Sequence, residues 1–257
     1  MKICSFFLSL VFLVSCQNNE NHLVENKNEF KTERIEEEVI TANSFLEKKH
    51  TDSILFQRNF VDVQSIDPTI QVELKYTTTD NFIGEILYTR IKNAYLQKDV
   101  AERLSKCQSL LKSIHPSYSL LVYDAVRPVS VQQKMWDALD TIPRYERGKF
   151  VSNPAHRSLH NYGAAVDVTI VDESGVPLDM GAGFDDIRKI AYPSLEASFL
   201  ASGELTQQHI ENRKLLRKVM TSEGFRNIPT EWWHFNACSR DTARLKYTTL
   251  KEEPENF

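Results

Sequence analysis

Apolar residues recur every three or four positions along Leu96, Val100, Leu104, Cys107, Leu111 and Ile114, which lays one apolar stripe along a helix that His115-Pro116 ends. A second helix is expected over Val129 to Leu139 and a third over Thr206 to Glu223, closed by Gly224. Elsewhere the period shortens to two. Phe60-Val61-Asp62-Val63 and Ile70-Gln71-Val72-Glu73-Leu74 alternate as half-buried strands do. Ser119 to Tyr123 and Ala164 to Val171 read as short buried strands, with Asp172-Glu173-Ser174-Gly175 a turn after the second, and Trp232 to Ala237 as a last strand. Strands and helices follow one another without regular βαβ alternation, which favours an α+β single domain over a doubly wound sheet.

The start of the chain is patterned differently. Its longest apolar run, Ile3 to Ser15, falls short of the roughly 20 apolar residues of a membrane-spanning helix. With Lys2 ahead of it, the run predicts a secretory signal over residues 1–15. Leu13-Val14-Ser15-Cys16 resembles the bacterial lipobox, so Cys16 is expected to carry lipid and anchor an exported protein to a bacterial membrane, facing periplasm or exterior. An ordinary signal peptide cut nearby is the plainer alternative. Residues 16–53 are rich in Asn, Glu and Lys around Glu36-Glu37-Glu38 and hold too few apolar groups to offset ordering, so they read as a polar, partly helical linker. Residues 54–257 remain as one domain. Of the four cysteines, this leaves Cys107 and Cys238 in the domain, with a disulfide between them an open question.

Lys and Arg number 31 against 35 Asp and Glu, a net charge of -4, and no basic block occurs. Nucleic acid is therefore excluded as a partner, because it demands clustered positive charge.

Three stretches place ionisable groups in apolar surroundings. In Ser158-Leu159-His160-Asn161-Tyr162-Gly163-Ala164-Ala165-Val166-Asp167, a bare Asp167 inside an apolar strand is costly unless a cation meets it. Glu231-Trp232-Trp233-His234-Phe235 adds a second imidazole and a carboxylate among aromatic residues. Two His and one carboxylate, with a fourth position for water, make a catalytic zinc site. Tyr123-Asp124-Ala125-Val126-Arg127-Pro128 offers a permanent cation suited to a developing oxyanion, or a structural ion pair between Arg127 and Asp124. His156 stands four residues before His160, but no Glu follows it and Asn153-Pro154 argues against a helix there, so it is not expected to bind metal. Trp232 and Trp233 are expected as pocket wall.

These motifs, SxHxxGxAxD, ExxH and DAxRP, resemble those of the zinc D-alanyl-D-alanine dipeptidases, the group that includes the vancomycin-resistance dipeptidases. The stretches Lys75 to Gly84 and Met180-Gly181-Ala182-Gly183-Phe184-Asp185 strengthen the likeness. The resemblance implies an α+β domain with a central antiparallel sheet flanked by helices, and one zinc ion held by His160, Asp167 and His234. It further implies Glu231 as general base, Arg127 as transition-state stabiliser, Asp185 as holder of the substrate ammonium and Ser158 in the substrate pocket. The substrate would be a small D,D-dipeptide. A carboxypeptidase trimming peptidoglycan stems, and a lipoprotein that binds cell-wall peptides without turnover, are the alternatives. The lipobox and the long N-terminal extension depart from the family pattern, so a resistance role is not implied.

Overall fold

The computed structural model describes residues 39–254, so the expected signal, Cys16 and the first part of the linker lie outside the described residues. The described residues divide into two compact units, 39–47 and 48–254. In the first, residues 39–47 are helical. Among the described residues no helix is long and apolar enough to cross a membrane.

The second unit is built on seven strands: β1 (Phe60–Asp62), β2 (Gln71–Val72), β3 (Tyr95–Gln97), β4 (Ser119–Asp124), β5 (Ala165–Val171), β6 (Arg226–Ile228) and β7 (Glu231–Asn236). Its principal helices are α1 (Lys98–Ile114), α2 (Val129–Ala138), α3 (Gln207–Ser222) and α4 (Arg240–Lys246). Five strands make one sheet in the order β2-β4-β5-β7-β6, antiparallel throughout except that β2 runs parallel to β4 at one edge. β1 and β3 pair as a separate antiparallel ribbon. The fold is thus the expected α+β domain, with one parallel edge.

Two elements differ from the sequence pattern. Leu96 carries the helical period but lies in β3, opposite Val61 of β1, and α1 begins only at Lys98 once that pairing ends. The alternation over 70–74 yields a strand of two residues, because the backbone turns at Leu74 into a 3-10 turn over Lys75–Thr77.

β4 and β5 are buried along their whole length, which explains their unbroken apolar character. Val166, Val168 and Ile170 of β5 join Leu104 and Leu111 of α1 and Leu216 and Val219 of α3 in the main core. Each such side chain contributes about 1.5–3 kcal/mol when fully buried. α3 is held at both ends. Thr206 and His209 form a reciprocal cap at its start, and Gly224, at φ +75°, lets the amides of Gly224 and Phe225 reach the carbonyls of Thr221 and Met220 at its end.

The chain past α4 straps the domain together. Leu250 donates its amide to Asn161 O (2.8 Å), and its own carbonyl accepts from Val129 (2.9 Å). The Glu253 carboxylate then takes the amides of Thr89, Arg90 and Ile91 at 2.9–3.1 Å. Those four hydrogen bonds, with the Thr89 hydroxyl, outweigh the burial that alone would raise the carboxyl, and its pKa is lowered. Cys107 and Cys238 are both free thiols, which closes the disulfide question.

Candidate active site

Asp167 belongs to β5, where alternate residues face the core and a cleft on the other side. A bulge in β4 between Val122 and Asp124 resets the register so that Asp124 stands opposite Asp167, which in turn stands opposite His234 of β7. Bulges re-aim side chains next to sites in this way. The result is a row of chemistry across three strands.

His160 arrives from outside the sheet, on a 3-10 turn over Leu159–Tyr162. Ser158 caps this turn: its Oγ accepts the His160 amide (3.3 Å), while the Asn161 side chain accepts the amide of Ser158 (2.8 Å). Ser158 lines the cleft, and its hydroxyl serves the turn. Gly163 closes the turn at φ +62°, and a Cβ there would lie 2.6 Å from Phe60 Cε1, so no side chain fits.

Three ligand-type atoms converge. His160 Nε2 lies 3.1 Å from His234 Nδ1 and 3.3 Å from Asp167 Oδ1, and His234 Nδ1 lies 3.0 Å from the same carboxylate oxygen. The far side of each ring fixes its tautomer. His160 Nδ1 can only donate to the Ala125 carbonyl (2.7 Å), and His234 Nε2 donates to Asn236 Oδ1 (2.9 Å). The facing atoms are therefore three lone pairs with no proton between them, an arrangement that repels itself unless a cation sits at the centre. Zinc with ligands at about 2.0–2.1 Å in tetrahedral array sets them about 3.3–3.4 Å apart, close to the spacings found here. The residues fit the ion, and the distal partners are those that orient ligating imidazoles. Among the described residues His160, Asp167 and His234 are the one such group. His156 is exposed and apart from it. Burial raises the Asp167 carboxyl, but its interactions with the His160 and His234 side chains outweigh this and hold the group well below the usual carboxylate range.

Arg127 forms the ion pair with Asp124 and also faces the cleft. Its Nε and Nη2 donate to Asp124 Oδ2 (3.0 and 2.7 Å), yet the guanidinium also lines the cleft, with Nη2 3.6 Å from Asp167 Oδ2. Tyr88 donates to the other Asp124 oxygen (2.6 Å), and Gln132 accepts from Arg127 Nη1 (3.0 Å). The cation is thereby fixed in place. Glu231 lies 3.8 Å from His234 Nδ1. Burial pushes its carboxyl up to about 7, the negative charges of Asp167 and Asp185 add to this, and the His234 imidazole opposes it. A carboxylate that titrates near the working pH can act as a general base.

Asp185 also faces the cleft, on a loop held by α3. Arg213, almost completely buried, donates Nε to Met180 O (2.7 Å) and Nη2 to Ile190 O (3.0 Å), bridging residues equally spaced on either side of Asp185. Asp185 itself adopts φ +58°, uncommon for a residue with a Cβ. Its Oδ1 accepts from Tyr76 OH (3.0 Å), and its Oδ2 is buried without a partner among the described residues. Burial, reinforced by the charge of Asp167, pushes this carboxyl up to about 7. Tyr76 was missed by the sequence reading, although it lies in the Lys75 to Gly84 stretch. Trp233 walls the cleft; Trp232 does not, and donates to Ala182 O (3.1 Å) instead. The cleft holds about 200 Å³, below the roughly 300–1,000 Å³ usual for drug-sized ligands.

The family model described as D-Ala-D-Ala dipeptidase matches residues 57–250. The chain is similar to the D-alanyl-D-alanine dipeptidase of Escherichia coli, 36% identical over 68% of this chain and 82% of that one. It is also similar to proteins of the same name from Synechocystis, 31% identical over 55% of this chain and 68% of the relative, and Enterococcus faecium, 28% identical over 68% and 90%.

Proposed function

The chain belongs to the D-Ala-D-Ala dipeptidase family of peptidases, and on that premise we propose that it hydrolyses D-alanyl-D-alanine or a related D,D-dipeptide with one zinc ion per chain. The observation that carries the reading is the convergence of three unprotonated ligand atoms from His160, Asp167 and His234. When bound there, zinc supplies Lewis acidity and lowers the pKa of water towards about 7. Glu231 lies beside His234, where it takes the proton of the attacking water and returns it to the leaving amine. Arg127, fixed by Asp124 and Gln132, presents its charge to the oxyanion without reorganising. No nucleophile from the protein is required.

Asp185 sets the length of the substrate. Its unpartnered oxygen suits the free ammonium of a dipeptide, whereas a longer peptide offers a neutral amide and leaves the carboxylate buried alone. Breaking a buried charge pair costs about 3–5 kcal/mol, which corresponds to roughly a hundred- to a few-thousand-fold in rate. The test is turnover, with zinc present, of D-Ala-D-Ala, its N-acetyl derivative and a pentapeptide stem. Free dipeptide should be cut far better than the other two. Equal turnover of free and acetylated dipeptide would make the chain a carboxypeptidase, and zinc binding without any turnover would make it a binding protein.

The same proposal includes location. Leu13-Val14-Ser15-Cys16 supports export, lipid on Cys16 and attachment to a bacterial membrane, with the polar segment after it as tether. The domain would then meet peptides of the cell wall rather than those of the cytosol.

A further inference from the structure

Glu231 and His234 are three residues apart in a strand, and a regular strand turns residues at that spacing to opposite faces. Here both line the cleft. Glu231, Trp233, His234 and Asn236 all face it, which strict alternation forbids, since the first two and the last two belong to opposite phases. The pairing of β6 with β7 shows where the phase changes. Asn227 stands opposite Phe235 and Ile228 opposite Glu231, so β6 advances by one residue while β7 advances by four. Residues 232–234 arch out of the β6–β7 pairing, while His234 stays paired with Asp167 of β5.

An arch of this kind leaves backbone carbonyls in need of donors, and it stays formed only if something supplies them. The Asn227 side chain does so. Its Nδ2 donates to Glu231 O (2.8 Å) and to His234 O (2.9 Å), with Trp232 O at 3.4 Å. An amide has two hydrogens, and these two carbonyls take both. Meanwhile Asn227 Oδ1 is buried with no partner among the described residues, a cost that an apolar residue would not incur.

We propose that Asn227 is a positioning residue that pins both feet of the arch and so holds Glu231 and His234 on one side of the sheet. It touches neither metal nor substrate and acts through the two residues that do. Without the pin, β7 relaxes towards regular alternation and separates base from ligand. The inference rests on the reading of Glu231 as base and His234 as ligand.

The experiment uses the purified protein with Asn227→Asp, which keeps the size but removes both donors, and Asn227→Ser, which keeps one shorter donor. Zinc affinity is measured by competition with a chelator, kcat and KM with D-Ala-D-Ala, and Tm alongside. In Asn227→Asp, kcat should fall about a hundred-fold with KM changed little, as for a displaced catalytic group. Zinc affinity should fall about tenfold, the scale of a lost supporting partner. Asn227→Ser should lie between it and wild type. A folded Asn227→Asp with kcat and zinc affinity both within about threefold of wild type overturns the inference, and a lowered Tm alone does not rescue it. Should Asn227→Asp not fold, Asn227→Ser decides by the same measures, and collapse of both counts against it, because Asn227 would then hold the fold rather than the site. Wild type that binds no zinc or leaves D-Ala-D-Ala intact overturns the underlying reading instead.

Discussion

At the scale of single residues, the proposed roles divide metal holding from proton transfer. Alanine at His160, Asp167 or His234 should reduce bound zinc to near zero. Glu231→Ala should keep zinc and lose about 10²–10⁴-fold in kcat, the usual contribution of a general base. Metal content and turnover measured on all four variants check this, and zinc lost equally from Glu231→Ala would contradict it. Asp185 gives a second expectation, with a definite sign. Its carboxyl is raised from 3.8 to about 7, so between those values the folded protein binds more protons than the unfolded chain. Stability attached to this group is complete below pH 3.8 and disappears as the pH rises through about 7. Metal-free Asp185→Asn should therefore be more stable than metal-free wild type at pH 8, by on the order of a few kcal/mol, with the gap closing towards pH 4. Parallel Tm profiles of the two proteins would refute that. Asp167 was legible in the sequence because a charge inside an apolar strand announces that it needs a cation. Tyr76, Asn227 and Asn236 were not, because a neutral polar side chain shows its purpose only through the partner it reaches.

At the scale of elements, the turn bearing His160 depends on Gly163. An alanine there must adopt a left-handed conformation at about 1–2 kcal/mol and must also displace Phe60. Gly163→Ala should lower stability by at least that amount and weaken zinc binding through His160. Denaturant unfolding of the metal-free protein and zinc titration measure the two effects; unaltered zinc affinity in a destabilised protein would show that the turn does not set the ligand. The helices α1, α2 and α3 were legible almost to the residue, since each buries one periodic face, whereas α4 was not. β3, β6 and the two bulges were not legible. A bulge is a relation between two strands, and the pattern of one strand alone cannot record where its neighbour falls out of step. Leu96 shows the same limit, its helical period overridden by its pairing with β1.

At the scale of the whole molecule, the anchor proposed on Cys16 has a direct readout. Cys16→Ser should move the protein from the detergent phase to the aqueous phase of an extraction, and membrane retention equal to wild type would remove the lipid from the account. The strap past α4 has a different bearing, on the order in which the molecule becomes itself. Every residue assigned to metal or proton lies upstream of Leu250, yet the Asn161 carbonyl beside His160 and the Val129 amide just past Arg127 find their partners only in Leu250. Glu253 then closes on the loop that carries Thr89, next to the tyrosine that holds Asp124. During synthesis, all three ligands emerge from the ribosome before the segment that braces them. A nascent chain thus holds every candidate ligand before the segment that braces the site has been made.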